Sequence, residues 1–176
     1  VSAPDVPSCR EQLIRYVLGT LLPRVRPRNM ADTLALYRAR ATTILEAEME
    51  IQGQPLENAA ALNLVVLKGP PGSDDTFGVR RNFLVLAVLG TVRRTGKTAD
   101  ADIDAALADL GPAIQQEFEA DPTLGGLAVW VEETEVDQDP PITGAARVAE
   151  VFVTVQIEYW TVPGDQYAFF YAVPAP

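Results

Sequence analysis

Two long stretches constrain this chain more than anything else in it. From Val79 to Val92, Phe83, Val85, Ala87 and Leu89 fall on one side of an extended strand, and Leu84, Leu86 and Val88 on the other. A strand apolar on both faces is central in its sheet or covered twice. From Arg147 to Val162 the pattern alternates strictly. Val151, Val153, Val155, Ile157 and Tyr159 lie on one side, and Phe152, Thr154, Gln156, Glu158 and Trp160 on the other. Period two over this length predicts a second long strand.

The cover for these strands is also written in the residues. Asp100 to Ala120 carries an apolar stripe of Ile103, Ala106, Leu107, Leu110, Ile114 and Phe118, which predicts a helix. Asp100, Asp102 and Asp104 crowd its first turn, where the helix dipole favours anions. Gly111-Pro112 predicts a kink or a break. Ser8 to Leu22 predicts another helix: Ser8 caps it, Glu11 stands at capping-box spacing, and Leu13, Ile14, Val17, Leu18, Leu21 and Leu22 share a face. Pro23 stops it, and Arg24, Arg26 and Arg28 interleave with Pro23 and Pro27 in a basic connector.

Between Asn29 and Ile51 the pattern is ambiguous. Leu34, Tyr37, Ala41 and Ile44 fit a helical face with Asn29 or Asp32 as cap, while Ala41 to Ile51 also fits an edge strand; a helix comes first here. Gln52 to Asn58 reads as a turn. Leu62 to Leu67 reads as a short strand, Gly69 to Asp75 as an exposed loop, and Arg93 to Thr98 as a basic loop. Leu127 to Val136 reads as a strand, Asp137 to Gly144 as a turn-rich loop, and Gln166 to Val173 as a last edge strand. The expected class is α+β, with a mainly antiparallel sheet of four or five strands and helices packed on it. At 176 residues a single domain, 1–176, is expected, with 1–7 and 174–176 as extended tails.

Composition excludes several function classes. There is no histidine, so neither a Ser-His-Asp triad nor a Cys-His pair nor an imidazole zinc site can be built from this chain. One cysteine, Cys9, can form no internal disulfide. No run approaches the ~18 apolar residues of a membrane span, so no membrane is expected. Val1 to Asp5 has no basic n-region and no apolar h-region, so no signal peptide is expected there.

The net charge of −10 is unevenly laid out. Val1 to Lys97 holds 13 basic and 9 acidic residues; Thr98 to Pro176 holds 1 basic residue, Arg147, and 15 acidic ones. If the fold separates these parts, faces of opposite sign result, and these favour head-to-tail contact between copies. Equally, both parts can present ordinary solvated faces. The acidic balance argues against general nucleic-acid binding.

Motifs that could carry chemistry fall short. Thr95-Gly96-Lys97-Thr98 matches the tail of a P-loop, but the first glycine should stand at Thr91, and Arg93-Arg94 fill a loop that must close on phosphates. A nucleotide-binding enzyme is the alternative this leaves. Asp100 to Asp104 resembles the opening of a calcium loop, yet the sixth position is Ala105 and the twelfth is Gly111. Glu132, Glu133, Glu135, Asp137 and Asp139 cluster at a strand end without fixed geometry, which reads as solvated. Cys9 lies near a helix start without a base beside it, and reads as a small buried side chain. None of the three serines sits in a nucleophile elbow. No catalytic residue, cofactor or metal is expected, and the chain is read as a non-enzyme. The aromatics Trp130, Tyr159, Trp160, Tyr167, Phe169, Phe170 and Tyr171 crowd the last part. They leave two readings, a core-facing edge strand or an arm that packs on a neighbouring subunit.

One constellation is familiar. An N-terminal amphipathic helix is followed by a long strand after an arginine pair (Val79-Arg80-Arg81-Asn82-Phe83-Leu84-Val85), then by a helix ending Ala120-Asp121-Pro122-Thr123-Leu124-Gly125-Gly126-Leu127, then by a strand, an acidic loop and a strand ending Val155-Gln156-Ile157-Glu158-Tyr159-Trp160. Over roughly Ala60 to Thr161 this resembles the tail terminator and tail-completion proteins of long-tailed bacteriophages and phage-like particles. The longer Leu22 to Asn58 segment and the extra Gln166 to Pro176 tail depart from that pattern. The resemblance implies a structural virion protein at the head-proximal end of the tail. It would form a homo-oligomeric ring, usually of six subunits, that caps the tail tube and stops its polymerisation. The other face of the ring would meet a connector or head-completion protein. A neck or head-completion role in the same particle is the neighbouring alternative. DNA would pass through an acidic lumen without sequence-specific binding. The charge pattern sets Arg80, Arg81, Arg93, Arg94 and Lys97 against Glu132, Glu133 and Glu135 as the expected subunit interface.

Overall fold

The strand that is apolar on both faces lies at the middle of a seven-stranded sheet. A computed structural model describes residues 6–30, 33–40, 58–75, 78–142 and 147–170. The strands are β1 (Leu34–Arg38), β2 (Asn58–Leu67), β3 (Ser73–Asp74), β4 (Arg80–Arg94), β5 (Trp130–Ile142), β6 (Arg147–Val162) and β7 (Asp165–Phe169). Among the described residues the α-helices are α1 (Cys9–Tyr16) and α2 (Ala99–Ala120). The strand order is β1-β2-β4-β6-β5, with β3 also on β4 and β7 also on β6. All pairings are antiparallel except β1 with β2, which is parallel. The fold is α+β as expected, but the sheet is larger than four or five strands and mixed.

The difference comes chiefly from residues 34–38. They were expected in a helix and form β1 instead, paired with β2 from Leu34↔Ala60 to Arg38↔Leu64. Leu34 and Leu36 turn to the main core, whereas Ala35 and Tyr37 gather round Ala61 on the opposite face. Five residues are too few for periodicity to choose between helix and strand, so pairing with β2 decides. Asn29, a candidate cap, donates its backbone N–H to Asp109 Oδ2 at 2.7 Å. Asp32 and the remaining expectations for 41–57 lie outside the described residues, as do most of the two expected tails.

Both helices cover one face of the sheet. Leu62 and Leu64 of β2, Leu84, Leu86 and Val88 of β4, and Val151, Val153, Val155 and Ile157 of β6 supply the sheet side of the core. Leu13, Val17, Leu21 and Leu22 supply one helical side, and Ile103, Leu107, Leu110, Ile114 and Phe118 the other. The first helix starts as expected: Ser8 Oγ accepts the Glu11 N–H at 3.3 Å. Past Tyr16 the turns widen to a π-helix over Val17–Leu21 and then tighten to a 3-10 turn, Leu22–Arg24, that takes in Pro23. Helix α2 runs through Gly111-Pro112 without a break. Its buried stripe continues on both sides of the proline and holds the segment to the sheet.

The segment that carries the resemblance is a tight reversal between α2 and β5. Asp121 organises it: Oδ1 accepts the Gly125 N–H at 2.9 Å and Oδ2 accepts the Tyr16 hydroxyl at 2.6 Å. Leu124, Gly125 and Gly126 all have positive φ, at 48°, 66° and 87°. Glycine adopts that region freely, but leucine does so at a cost. Leu124 is fully buried, and that burial offsets the strain.

At Gly90 the sheet packs tightly against α2. A Cβ there would stand 2.6 Å from Leu110 Cδ2 and 3.0 Å from Val151 Cγ1. Gly90→Ala is therefore expected to destabilise the fold by about 1–3 kcal/mol through overpacking. The same change in a Leu110→Ala background, where only the Val151 contact remains, should have a smaller effect. Urea denaturation of the four species checks this; equal losses in both backgrounds would refute the contact.

Candidate assembly surface

The outermost strands, β1 and β5, lie at opposite margins of the sheet, about 19 Å apart at the usual strand spacing. Each pairs on one side only among the described residues. On β5, Glu132, Glu133, Glu135 and Asp137 are exposed. Apolar side chains are exposed with them, Trp130 at 56% and Val136 at 41%. No basic residue occurs anywhere from Thr98 to Ile142, so this margin is acidic without compensation in sequence. The acidic residues were expected partly in a loop; they lie on a strand that continues to Ile142. Its register shifts between Glu133 and Glu135, and again between Asp139 and Ile142.

The opposite margin is basic. The connector after α1 runs beside β1: Leu22, Pro23, Val25, Arg26, Pro27 and Met30 share a cleft with Leu34 and Leu36. Arg24, Arg26 and Arg28 on the connector and Arg38 and Arg40 at the end of β1 are all exposed. Two acids temper the charge. Asp109 accepts the backbone N–H groups of Arg28 and Asn29, and Glu11 holds Arg38 at 2.7 Å and Arg15 at 2.9 Å. Arg24, Arg26 and Arg28 were visible in sequence only as a connector motif, and Arg38 and Arg40 not at all, because nothing local shows which margin the connector borders.

The basic residues expected at an interface are placed differently. Arg80 pairs with Asp74 at 3.1 Å, and Arg81 with Glu158 at 2.9 Å. The Arg81 guanidinium, with help from the Trp160 indole N–H at 2.8 Å, holds the Glu158 carboxyl below its ordinary pKa. Arg93 and Arg94, at the other end of β4, are each only 8% exposed, and Arg94 donates to the Ala59 and Arg93 carbonyls. The two arginine pairs lie roughly 40 Å apart along the strand and form no single patch. Lys97 is exposed in the turn before α2. Among the acids, Glu132 and Glu135 are exposed, while Glu133 accepts both contacts of the Gln115 amide from α2, at 2.8 and 2.9 Å.

The described terminal aromatics differ in exposure. Tyr159 is buried and meets Phe169 edge to face, with centroids 6.4 Å apart. Tyr167 and Phe170 point outward, at 61% and 47% exposure.

Chemistry is thinly represented. A cleft of about 440 Å³ lies where Ser8 and Arg10 meet Lys68, Asn82, Tyr159 and Thr161. Asn82 donates to Thr161 Oγ1 within it at 3.0 Å. Cys9 is fully buried, and burial first, then the Asp165 charge, pushes its thiol up to about 11, so it stays protonated at neutral pH. Among the described residues no group of three or more acidic or thiol side chains is placed to hold a metal ion, and no helix is long and apolar enough to cross a membrane. Comparison with protein families and with curated proteins gave no match.

The Glu11 cluster ties α1 to β1 and gives a pH test. Hydrogen bonding from Arg38 is the main reason that the Glu11 carboxyl is lowered from 4.5 to about 2. A lowered pKa stabilises the fold above the unfolded value and loses that effect as pH falls. Glu11→Gln is expected to be less stable at pH 7 by under ~1 kcal/mol, since the pair is partly exposed. The gap to the unaltered protein should close between pH 4.5 and about 2. Thermal unfolding across that range checks it, and a pH-independent gap would refute it.

Proposed function

We infer that this chain is a structural protein of a bacteriophage tail or phage-like particle, and acts there as the tail terminator. Copies form a ring that seats on the last ring of the tail tube, stops its growth and offers its other face to the head connector. The observation that carries this reading is the Asp121–Leu127 reversal. The residues that prompted the resemblance form the joint between the covering helix and the outer strand β5. Their role there is structural, because Asp121 is spent on hydrogen bonds to Gly125 and Tyr16.

Two further features support it. A sheet with long central strands and one helical layer makes a stiff block, as a cap that withstands tube and head contacts requires. A molecule with an acidic and a basic margin suits a closed ring, in which unlike surfaces meet at every interface. The acid-rich stretch from Thr98 to Ile142 also supplies carboxylates that would repel phosphate and let duplex DNA pass a lumen without sticking.

Negative-stain images of the full chain, alone and mixed with tail tubes of its own particle, test the assignment. Rings near six subunits on one end of each tube are expected, with tube growth arrested when subunits are added. Tube ends left bare, and tubes that keep lengthening, would sink it. Attachment to the head connector but not to tubes would favour the neck role instead.

A further inference from the structure

Strand edges expose unpaired N–H and C=O groups, and monomeric proteins commonly blunt them with charge and bulges. Here the blunting is asymmetric. The β5 margin carries Glu132, Glu135 and Asp137, and the β1 margin carries Arg26, Arg28 and Arg40. Charge of one sign at both margins would suffice to keep copies apart. Opposite signs instead make the margins complementary to each other. Symmetric pairing is disfavoured at both, since β5 on β5 sets acid against acid and β1 on β1 sets base against base.

Strand direction agrees. β2 and β6 run antiparallel to β4, β1 runs with β2, and β5 runs antiparallel to β6. So β1 and β5 point in opposite directions. A second copy, rotated about an axis along the strands, would bring its β1 beside β5 in antiparallel sense. Lengths agree too. Between its two irregularities β5 has a regular stretch from Glu135 to Asp139, and β1 spans the five residues Leu34–Arg38. Val136, exposed at 41%, lies within that stretch.

From these features we propose that the occupant of the β5 edge is the β1 margin of a second copy of this chain. The contact is head to tail and antiparallel, and it extends the sheet from one subunit to the next. It rests on the self-assembling part of the reading above and replaces the Arg80–Arg81 and Arg93–Arg94 patches as the basic side. Repeated with constant rotation, such a contact closes a ring.

A charge-swap experiment on the full chain tests it. One variant carries Glu132→Lys, Glu135→Lys and Asp137→Lys; the other carries Arg26→Glu, Arg28→Glu and Arg40→Glu. Circular dichroism and thermal unfolding confirm that each is folded, and a third variant with lysine at the three arginine positions keeps the charge if either swap disturbs the fold. Sedimentation velocity is expected to show oligomers for the unaltered protein, weakened by added salt, and monomers for each swapped variant. Mixing the two swapped variants should restore oligomers, because each then meets an unlike margin. The lysine variant should assemble like the unaltered protein. A monomeric unaltered protein at every concentration would overturn the proposal. So would swapped variants that assemble normally, or a mixture that stays monomeric. Tube capping is measured separately: rings built through these margins that ignore tail tubes would remove the terminator role alone, and capping without this contact would remove the contact alone.

Discussion

The pairing of β4 with β6 is the constraint on which the rest depends. It runs from Arg80↔Thr161 to Arg94↔Arg147 without a bulge. Every other strand attaches to this ribbon or to a strand that does. Its helix-facing side is aliphatic along most of its length, so the hydrophobic effect draws α2 and the first helix onto that side. Where Leu110 of α2 packs on the ribbon, Gly90 removes the side chain that would hold them apart. The other face is mixed. There Arg81, Glu158 and Trp160 satisfy one another, and Asn63 binds the backbone of Arg40 from both ends of its amide.

Once the ribbon is in place, part of the charge split along the chain becomes a split in space, with Glu132, Glu135 and Asp137 on β5 and Arg26, Arg28 and Arg40 beside or just past β1. The chain lays β2 and β1 on one flank of β4 and β5 on the far flank of β6. The basic connector follows β1, and the stretch without basic residues supplies β5 and α2. A net charge of −10 therefore describes no single surface of this protein. Two margins of opposite sign, each paired on one side only among the described residues, describe it better. On the proposed reading, this is the feature that would join the fold to ring formation.

Much of the architecture was legible in the residues. The strand Arg147–Val162 has the bounds its alternation predicts, and the long helix starts within a residue of its expected place. The Ser8 cap and the Asp121–Leu127 reversal were legible too, because each is local chemistry: a side-chain oxygen accepts a nearby N–H, and glycines take positive φ. The placement of the charged residues was not legible. Arg93 and Arg94 looked like a basic loop, yet β4 extends through Arg94 and buries both. Glu133 looked equivalent to Glu132, but faces Gln115 of the helix. Burial and partners of that kind depend on residues far away in the chain.

Sequence by itself determined the class of fold, the two apolar faces of β4, the helical cover, and the lack of histidine-based chemistry. These follow from periodicity and composition, which act within a window of a few turns or along one strand. Only the tertiary structure decided that residues 34–38 join the sheet in parallel, which arginines are spent inside the subunit, and that Glu132, Glu135 and Asp137 lie at one margin and Arg26, Arg28 and Arg40 at the other. Those outcomes are set by strand pairing between distant segments, where the free energy of burying and hydrogen-bonding one strand against another outweighs any local preference of five residues.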